Sequence, residues 1–134
     1  MKAKFGFLVL LFLGLSLCSC NKDEGNDVTG TQSGGNHNPN TPSDPNPSDA
    51  ATGVNRNLTL SWNCSDPDPS DTVSYDIYAG ISNPPNTIIS NEQLSKTLYV
   101  GIVAANTKFY WKVVAKDNHG LYTDGPIWSF TTSP

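Results

Sequence analysis

Residues 109–116 read FYWKVVAK, and this stretch decides the fold class of the 134-residue chain. Apolar side chains recur in it at every second position: Phe109, Trp111, Val113 and Ala115. Lys112 and Lys116 fall between them. A period of two residues is that of a β-strand, whose successive side chains point to opposite faces of a sheet. The stretch therefore predicts a strand with one face in a core and the other towards solvent.

Three further runs alternate in the same way on either side of this strand. Their apolar side chains form three groups: Leu58, Leu60 and Trp62; Val73, Tyr75, Ile77 and Ala79; Trp128 and Phe130. Weaker strands are predicted at residues 87–90 and 97–100. Turn residues separate the runs at intervals of about 8–12 positions, which is typical of a β-sandwich. Two layers of strands around these faces predict an all-β domain over residues 50–134.

The composition limits the class of protein. The chain has 8 basic and 12 acidic residues, a formal net charge of −4, and a hydrophobic content of only 37%. A chain of this length forms at most one small domain with tails, which excludes a large enzyme and a polytopic membrane protein. The acidic balance argues against a nucleic-acid partner, which would need a basic face.

The start of the chain has the pattern of an export signal. Two lysines precede an uncharged run at residues 5–17, which is shorter than the roughly 20 residues of a bilayer span and matches a signal-peptide core. Residues 17–20, LCSC, then resemble the lipobox of bacterial lipoproteins. The resemblance implies a signal peptide at residues 1–19 and a diacylglyceryl thioether on Cys20. Acylation of the new amino terminus would make this a stable membrane anchor.

Lys22, Asp23 and Glu24 follow the lipidated cysteine directly. They resemble the surface-export tag of Bacteroidota lipoproteins, which implies an outer-membrane protein whose domain faces the medium. The alternative is that these charges are merely solvated and that the protein faces the periplasm.

Residues 20–49 are predicted to form a disordered linker after the lipidated cysteine. Of the 29 residues from 21 to 49, 24 are Asn, Asp, Gly, Thr, Ser or Pro, and Val28 is the only hydrophobic one. Such a segment cannot bury enough apolar surface to offset the entropy lost on ordering.

The predicted domain resembles fibronectin type III domains, especially those of bacterial surface proteins. The motifs that carry the resemblance are residues 46–54 (NPSDAATGV), 58–62 (LTLSW), 66–68 (DPD), 75–78 (YDIY), 109–117 (FYWKVVAKD) and 128–132 (WSFTT). The family implies a seven-stranded, immunoglobulin-like Greek-key sandwich. Phe109 stands where the family usually has a tyrosine whose hydroxyl ties down the preceding loop, so we expect that hydrogen bond to be absent.

Few side chains of the domain suggest chemistry. His119 lies in a predicted turn, residues 117–120, with no nucleophile elbow in the chain to accompany it. Cys64 is expected to be buried as a small apolar residue, a reactive thiol being the alternative. No Cys and His spacing suggests zinc. We therefore expect no enzymatic activity and no cofactor apart from the lipid on Cys20.

Asp66, Asp68 and Asp71 are the candidate metal ligands. Three carboxylates within six residues offer hard oxygen ligands for Ca²⁺, although the glycine and glutamate of an EF-hand loop are missing. The Asp-Pro-Asp sequence is also a good turn, so a turn is the favoured interpretation and a weak Ca²⁺ site the alternative. Thr72 lies in a DTV triplet that resembles the short O-glycosylation signal of exported Bacteroidota proteins, a match that also arises by chance.

Tyr78, Tyr122 and His119 are the candidate ligand-binding residues, because exposed aromatic rings can stack on sugars. The favoured interpretation is a non-enzymatic, lipid-anchored interaction or spacer module that binds an unknown protein or complex at the outer-membrane surface. The alternative is a glycan-binding accessory protein of a polysaccharide utilisation or adhesion system. This alternative predicts that the three residues cluster on one face or at one loop end.

Overall fold

The structure is a computed structural model, and it describes residues 35–134. This part of the chain contains nine strands and no helix: β1 (Ser43–Asn46), β2 (Ala51–Val54), β3 (Asn57–Asn63), β4 (Ser74–Gly80), β5 (Ile88–Gln93), β6 (Thr97–Ile102), β7 (Lys108–Lys116), β8 (Tyr122–Asp124) and β9 (Trp128–Thr132). The all-β prediction is confirmed. The predicted signal peptide, Cys20 and the tag at residues 22–24 lie outside the described residues. Within them, no helix has the length and apolar character that crossing a bilayer requires.

The strands form two sheets that pack as a sandwich. One sheet has the order β1-β3-β6, and the other has the order β2-β9-β7-β4-β5, with β8 also paired to β7. The β2–β9 pair is parallel and the other pairs are antiparallel. β5 and β6 each end a sheet, and residues 94–96 join them.

The nine segments occupy seven strand positions. β8 and β9 pair with successive parts of β7, so they are one strand interrupted at residues 125–127. β1 and β2 follow one another along the chain and pair with different sheets, so they are a first strand that crosses between the layers. The predicted seven-stranded sandwich is therefore confirmed, with its first and last strands divided.

The core consists of the side chains that the alternation placed inward. Ten of them are at most 5% exposed: Leu58, Leu60, Trp62, Tyr75, Ile77, Trp111, Val113, Ala115, Trp128 and Phe130. Trp111 lies among them with its ring centroid 6.4 Å from that of Trp62 and 4.8 Å from that of Trp128. Such tilted aromatic pairs contribute about 0.5–1.5 kcal/mol each beyond the area they bury.

Residues 36–46 differ from the prediction of a disordered linker, because they run along the domain. We call residues 36–42 the N-terminal strap. The Asn40 amide donates to the Ser65 carbonyl (2.9 Å), Thr123 Oγ1 donates to the Pro39 carbonyl (2.6 Å), and Pro42 is fully buried. The prediction from composition considered only the apolar surface that the segment could bury. Backbone and side-chain hydrogen bonds to the domain, which that prediction left out, hold the segment in place. The folded unit thus begins well before residue 50.

Candidate functional site

The acidic loop after β3 meets the β7–β8 turn at one end of the sandwich. Asp66 and Asp71 lie beside Asp117, the last residue before that turn, and one carboxylate oxygen of each lies within 4.8 Å of the others. We call these three residues the acidic triad. Two of the three predicted metal ligands are therefore brought together, and Asp117 is a third member that the sequence did not indicate, because it lies far away along the chain.

Asp68, the remaining predicted ligand, is engaged elsewhere. Its Oδ2 accepts a hydrogen bond from the His37 amide (2.7 Å), and its Oδ1 lies 3.1 Å from His37 Nδ1. The hydrogen bond from the His37 amide, followed by that from the ring, holds the pKa of Asp68 below its usual value. His37, which was predicted to lie in a disordered segment, is thus part of the N-terminal strap, and Asp68 secures that strap.

Asp117 is held by hydrogen bonds from two directions. Its Oδ1 accepts from the amides of His119 and Leu121, both at 2.8 Å, and its Oδ2 accepts from Asn36 Nδ2 at 2.6 Å. Burial opposes ionisation of this carboxyl, but the hydrogen bonds from Asn36 and from the turn outweigh it. The pKa of Asp117 therefore lies below its usual value, and the carboxylate is charged.

Asp66 and Asp71 each keep one carboxylate oxygen without a protein partner. The side chain of Asp71 is 3% exposed; its Oδ1 lies 3.3 Å from His119 Nε2, and its Oδ2 is buried without a hydrogen bond. Asp66 Oδ1 accepts from the Asp68 amide at 2.8 Å, while its Oδ2 is likewise buried and unpartnered. Among residues 35–134, neither Lys nor Arg forms an ion pair with any member of the triad.

The candidate ligand-binding residues do not come together. Tyr78 pairs with Lys112 across the sheet, whereas Tyr122 pairs with Lys116. These positions are four residues apart along β7, or about 13 Å. His119 lies in the turn beyond them, next to the acidic triad. The cluster that the glycan-binding alternative predicts is not formed by these three side chains.

A different pair of aromatic rings shares the outer face of this sheet. Tyr110 pairs with Gly80, two residues beyond Tyr78 on β4. Lys112 Nζ lies 5.1 Å from the centroid of the Tyr78 ring, and Lys108 Nζ lies 5.2 Å from that of Tyr110. Each ring therefore carries a lysine over one face.

Cys64 and Thr72 differ in accessibility. Cys64 is 4% exposed, and its thiol donates to the Asn40 carbonyl at 3.1 Å. Burial raises the pKa of the thiol, which fits the prediction of a structural cysteine. Thr72 is exposed in the loop before β4, and its amide donates to Asn118 Oδ1 at 2.8 Å.

An ion pair between a buried carboxylate and a partly exposed lysine lies on the outer face of the larger sheet, and it was not predicted. Asp76 is 3% exposed; its Oδ1 accepts from the Glu92 amide (2.9 Å), and its Oδ2 lies 2.5 Å from Lys116 Nζ. The hydrogen bond to Asp76 raises the pKa of Lys116 above its usual value. The pair joins β4, β5 and β7, so its role is structural.

The exposed apolar side chains concentrate on β5, β6 and the loop between them. We call residues 88–102 the β5–β6 edge. Six of the nine large hydrophobic side chains exposed in the described part of the chain lie here: Ile88, Ile89, Leu94, Tyr99, Val100 and Ile102. Behind Ile89 and Val100, an apolar cavity of about 130 Å³ opens between the two sheets. This edge could have been found from the sequence, since residues 98–100 and 102 place apolar side chains on both faces of one strand.

Comparison with known proteins identifies the fold. No protein-family model and no curated protein matches the chain. The fibronectin type III domain of human fibronectin type III domain containing protein 3 is similar over 76% of this chain and 93% of that one, with 24% identity and a TM-score of 0.54.

Two α-L-rhamnosidases are similar over 72% of this chain. The enzyme from Streptomyces avermitilis, solved in complex with L-rhamnose, has 17% identity and a TM-score of 0.53. The enzyme from Dictyoglumus thermophilum has 15% identity and a TM-score of 0.56. This chain spans only 10% and 12% of their lengths. At these identities the likenesses establish a fibronectin type III sandwich and nothing about activity.

Proposed function

We propose that this protein is a non-enzymatic interaction module of the cell envelope, anchored in the outer membrane by a lipid on Cys20, that binds a protein partner at the β5–β6 edge. The fold supports a module, since this sandwich hosts many binding functions. The lipobox-like residues 17–20 support the anchor, and the lysine and acidic pair at residues 22–24 support its surface location.

The observation that carries the proposal is the concentration of exposed apolar side chains on the β5–β6 edge. Both strands end their sheets, so each presents backbone groups that another strand could pair with. A polypeptide is the class of partner that can satisfy such groups and cover apolar side chains at the same time. The cavity behind Ile89 and Val100, at about 130 Å³, is close to the size of an engineered 150 Å³ cavity that binds benzene. It therefore has room for one leucine or phenyl side chain of the partner.

The geometry of the titratable groups supports a non-enzymatic role. Nucleophilic catalysis requires a nucleophile in contact with a base. The Cys64 thiol is buried and its pKa is raised, which disfavours the reactive thiolate. The ring of His119 contacts Asn118 and Asp71, and neither contact pairs a base with a Ser, Thr or Cys nucleophile.

Photo-crosslinking in the native cells tests the binding surface. A photoreactive residue at Ile102 of β6, which is 79% exposed, is compared with one at Tyr122 of β8, which is 59% exposed on the other sheet. We expect one adduct of defined mass from position 102, lost when Tyr99→Asp adds a charge to the same face, and none from position 122. Absence of an adduct at position 102, or the same adducts from both positions, contradicts the proposal.

Proteinase K digestion of intact and lysed cells tests the location. Loss of the domain from intact cells supports surface display, and protection until lysis places the protein on the periplasmic face instead. The substitution Cys20→Ser is expected to release the protein from the membrane fraction. Retention of that variant in the membrane contradicts lipid anchoring at Cys20.

Glycan binding is the second candidate, and the face that carries Tyr78 and Tyr110 favours it. The two rhamnosidases contain a domain of the same fold, although it forms a small part of each enzyme. A sugar would have to displace Lys112 or Lys108 from the ring that it covers. Affinity electrophoresis in polysaccharide gels should show retardation that Tyr110→Ala abolishes and Tyr99→Ala leaves intact. Equal mobility of wild type and Tyr110→Ala contradicts this candidate.

A further inference from the structure

The acidic triad concentrates negative charge, and among residues 35–134 it has no ion pair with Lys or Arg, only the contact of Asp71 with the His119 ring. Three carboxylates lie within one small volume, and two of them, Asp66 and Asp71, present a buried oxygen with no hydrogen-bond partner. Buried carboxylate oxygens in folded proteins are normally paired or bound to a metal, because removing them from water without a partner is costly. The side chain of Asp71 is 97% buried, so it is largely removed from bulk water.

We infer that Asp66, Asp71 and Asp117 form a Ca²⁺-binding site that joins the loop after β3 to the β7–β8 turn. Their ligand oxygens lie within 4.8 Å of one another, a separation that two oxygens bound to one Ca²⁺ at about 2.3–2.6 Å can span. All three donors are carboxylates, the hard oxygen ligands that Ca²⁺ prefers over the nitrogen and sulfur donors of zinc sites.

The surroundings allow a cation to enter and to complete its coordination. A polar depression of about 250 Å³ opens beside Asp71, and Asn36, Asp68, Ser70 and His119 help to line it. Water in this depression can fill the positions that three carboxylates leave open, since Ca²⁺ takes six to eight oxygen ligands. Asn36 donates to Asp117 Oδ2, and rotation of its amide by half a turn would bring an oxygen towards the cation instead.

Bound Ca²⁺ would couple three segments that are distant in sequence. Asp66 and Asp71 belong to one loop, Asp117 directly precedes the β7–β8 turn, and Asn36 belongs to the N-terminal strap. The inference does not depend on the partner proposed for the β5–β6 edge, although Leu94 and Lys96 of that edge line a second depression with Asp66 and Asp71.

Calorimetric titration of the full chain with CaCl₂ in detergent, after treatment with EDTA, tests the site. We expect one site with a Kd on the order of 0.1–1 mM, the range of extracellular Ca²⁺ modules, and a rise in Tm at saturating Ca²⁺. Asp71→Asn is expected to weaken binding at least about tenfold, since affinity depends on the charge of the ligands. Asp49→Asn is the control, because it removes a carboxylate outside the triad and the depression while asparagine keeps the acceptor for the Ser129 amide. This variant should bind Ca²⁺ as the wild type does.

The outcomes are decisive in each direction. No binding by the wild type at about 10 mM CaCl₂, well above the expected range, overturns the inference. Equal Kd values and equal Tm shifts in wild type and Asp71→Asn also overturn it, because they indicate general screening of an acidic surface. Asp66→Asn is the second variant should Asp71→Asn not fold, since asparagine keeps the acceptor for the Asp68 amide. Its failure to weaken binding would likewise count against the site.

Discussion

Gly125 illustrates how the backbone, and not a side chain, can determine the residue at one position. Its amide donates to the Val113 carbonyl at 2.8 Å in the interruption between β8 and β9. A Cβ at this position would lie 2.6 Å from that carbonyl oxygen and 3.2 Å from the Pro42 side chain. The absence of a side chain at Gly125 lets Pro42 of the N-terminal strap and the Val113 carbonyl of β7 pack closely around it. A methyl group here would displace Pro42 and the Val113 carbonyl.

We expect Gly125→Ala to lower the free energy of unfolding by about 1–3 kcal/mol, the usual cost of overpacking. Gly80→Ala is the matched control, because its Cβ would meet nothing within 4 Å and its φ is not positive. That control should leave stability unchanged or raise it by up to about 1 kcal/mol, since glycine weakens a strand. Urea unfolding measures both, and equal stabilities for the two variants would show that the strap yields at this contact.

Lys116 neutralises a buried carboxylate, which gives the ion pair a defined pH dependence. We expect Lys116→Met to lower the free energy of unfolding by about 1–2 kcal/mol, less than a fully buried pair would lose because Lys116 is 38% exposed. The contact with Asp76 raises the pKa of Lys116. The stabilisation is therefore fully present below the ordinary lysine pKa of 10.5 and is lost as pH rises through the raised value.

Urea unfolding of wild type and Lys116→Met from neutral pH to above pH 10.5 checks this dependence. The two stabilities should converge at the alkaline end, and a constant difference would contradict an electrostatic origin. Lys112→Met is the control, because Asp124, its partner, is 56% exposed, and exposed pairs are worth about 0–1 kcal/mol.

At the scale of elements, alternation predicted the strands whose inner faces are apolar. β3, β4, β7 and β9 were predicted because a period of two is unambiguous when one face is buried. β1, β2 and β8 were not, since these short segments are rich in Pro, Asp, Gly and Thr and are held by pairing with strands distant in sequence. Periodicity carries no information about such pairing.

The candidate site was predictable to the extent that its residues are neighbours in the chain. Asp66 and Asp71 were singled out because they lie in one acidic loop. Asp117 joins them only because β4 pairs with β7, which brings the turn after β7 next to the loop before β4. Asp68 was predicted to belong to the same site, because the spacing of the aspartates does not show that its carboxylate accepts a hydrogen bond from His37 instead.

The cavity behind the β5–β6 edge makes a prediction about packing. Ala79 of β4 lines it, so Ala79→Val places two more carbons in apolar space. We expect the free energy of unfolding to rise by about 1 kcal/mol, because each buried CH₂ contributes about 0.8 kcal/mol and some strain offsets this. Ala104→Val, at an exposed position, should have no effect. A fall in Tm for Ala79→Val would show that the cavity cannot accept a side chain.

At the scale of the whole molecule, the N-terminal strap belongs to the folded unit. It covers Cys64 through the Asn40 carbonyl, and its Asn36 and Asn38 side chains donate to Asp117 and to the Tyr122 carbonyl of β8. A linker that ended at residue 49 would have left β3 with an open edge, which β1 instead occupies.

Two truncated chains test this boundary. A chain that starts at residue 35 should keep the stability of the full chain. One that starts at residue 50 should lose at least about 3 kcal/mol, because it lacks three or more hydrogen bonds of about 1 kcal/mol each. Cys64 is the sole thiol in both, so its rate of reaction with a disulfide reagent reports exposure. Equal rates in the two chains would contradict a structural strap.

The parallel pairing of β2 with β9 has a mechanical consequence. Ala51 lies opposite Phe130 and Val54 opposite Thr132, so the first and last strands of the larger sheet run side by side in the same direction. Tension that pulls the start of β2 away from the end of β9 must slide one strand past the other and load their hydrogen bonds together. Unfolding at constant pulling rate in an optical trap should therefore require a higher force than pulling β9 away sideways, where the bonds break one after another. The pair therefore resists a load directed along the two strands better than a load that peels β9 away sideways.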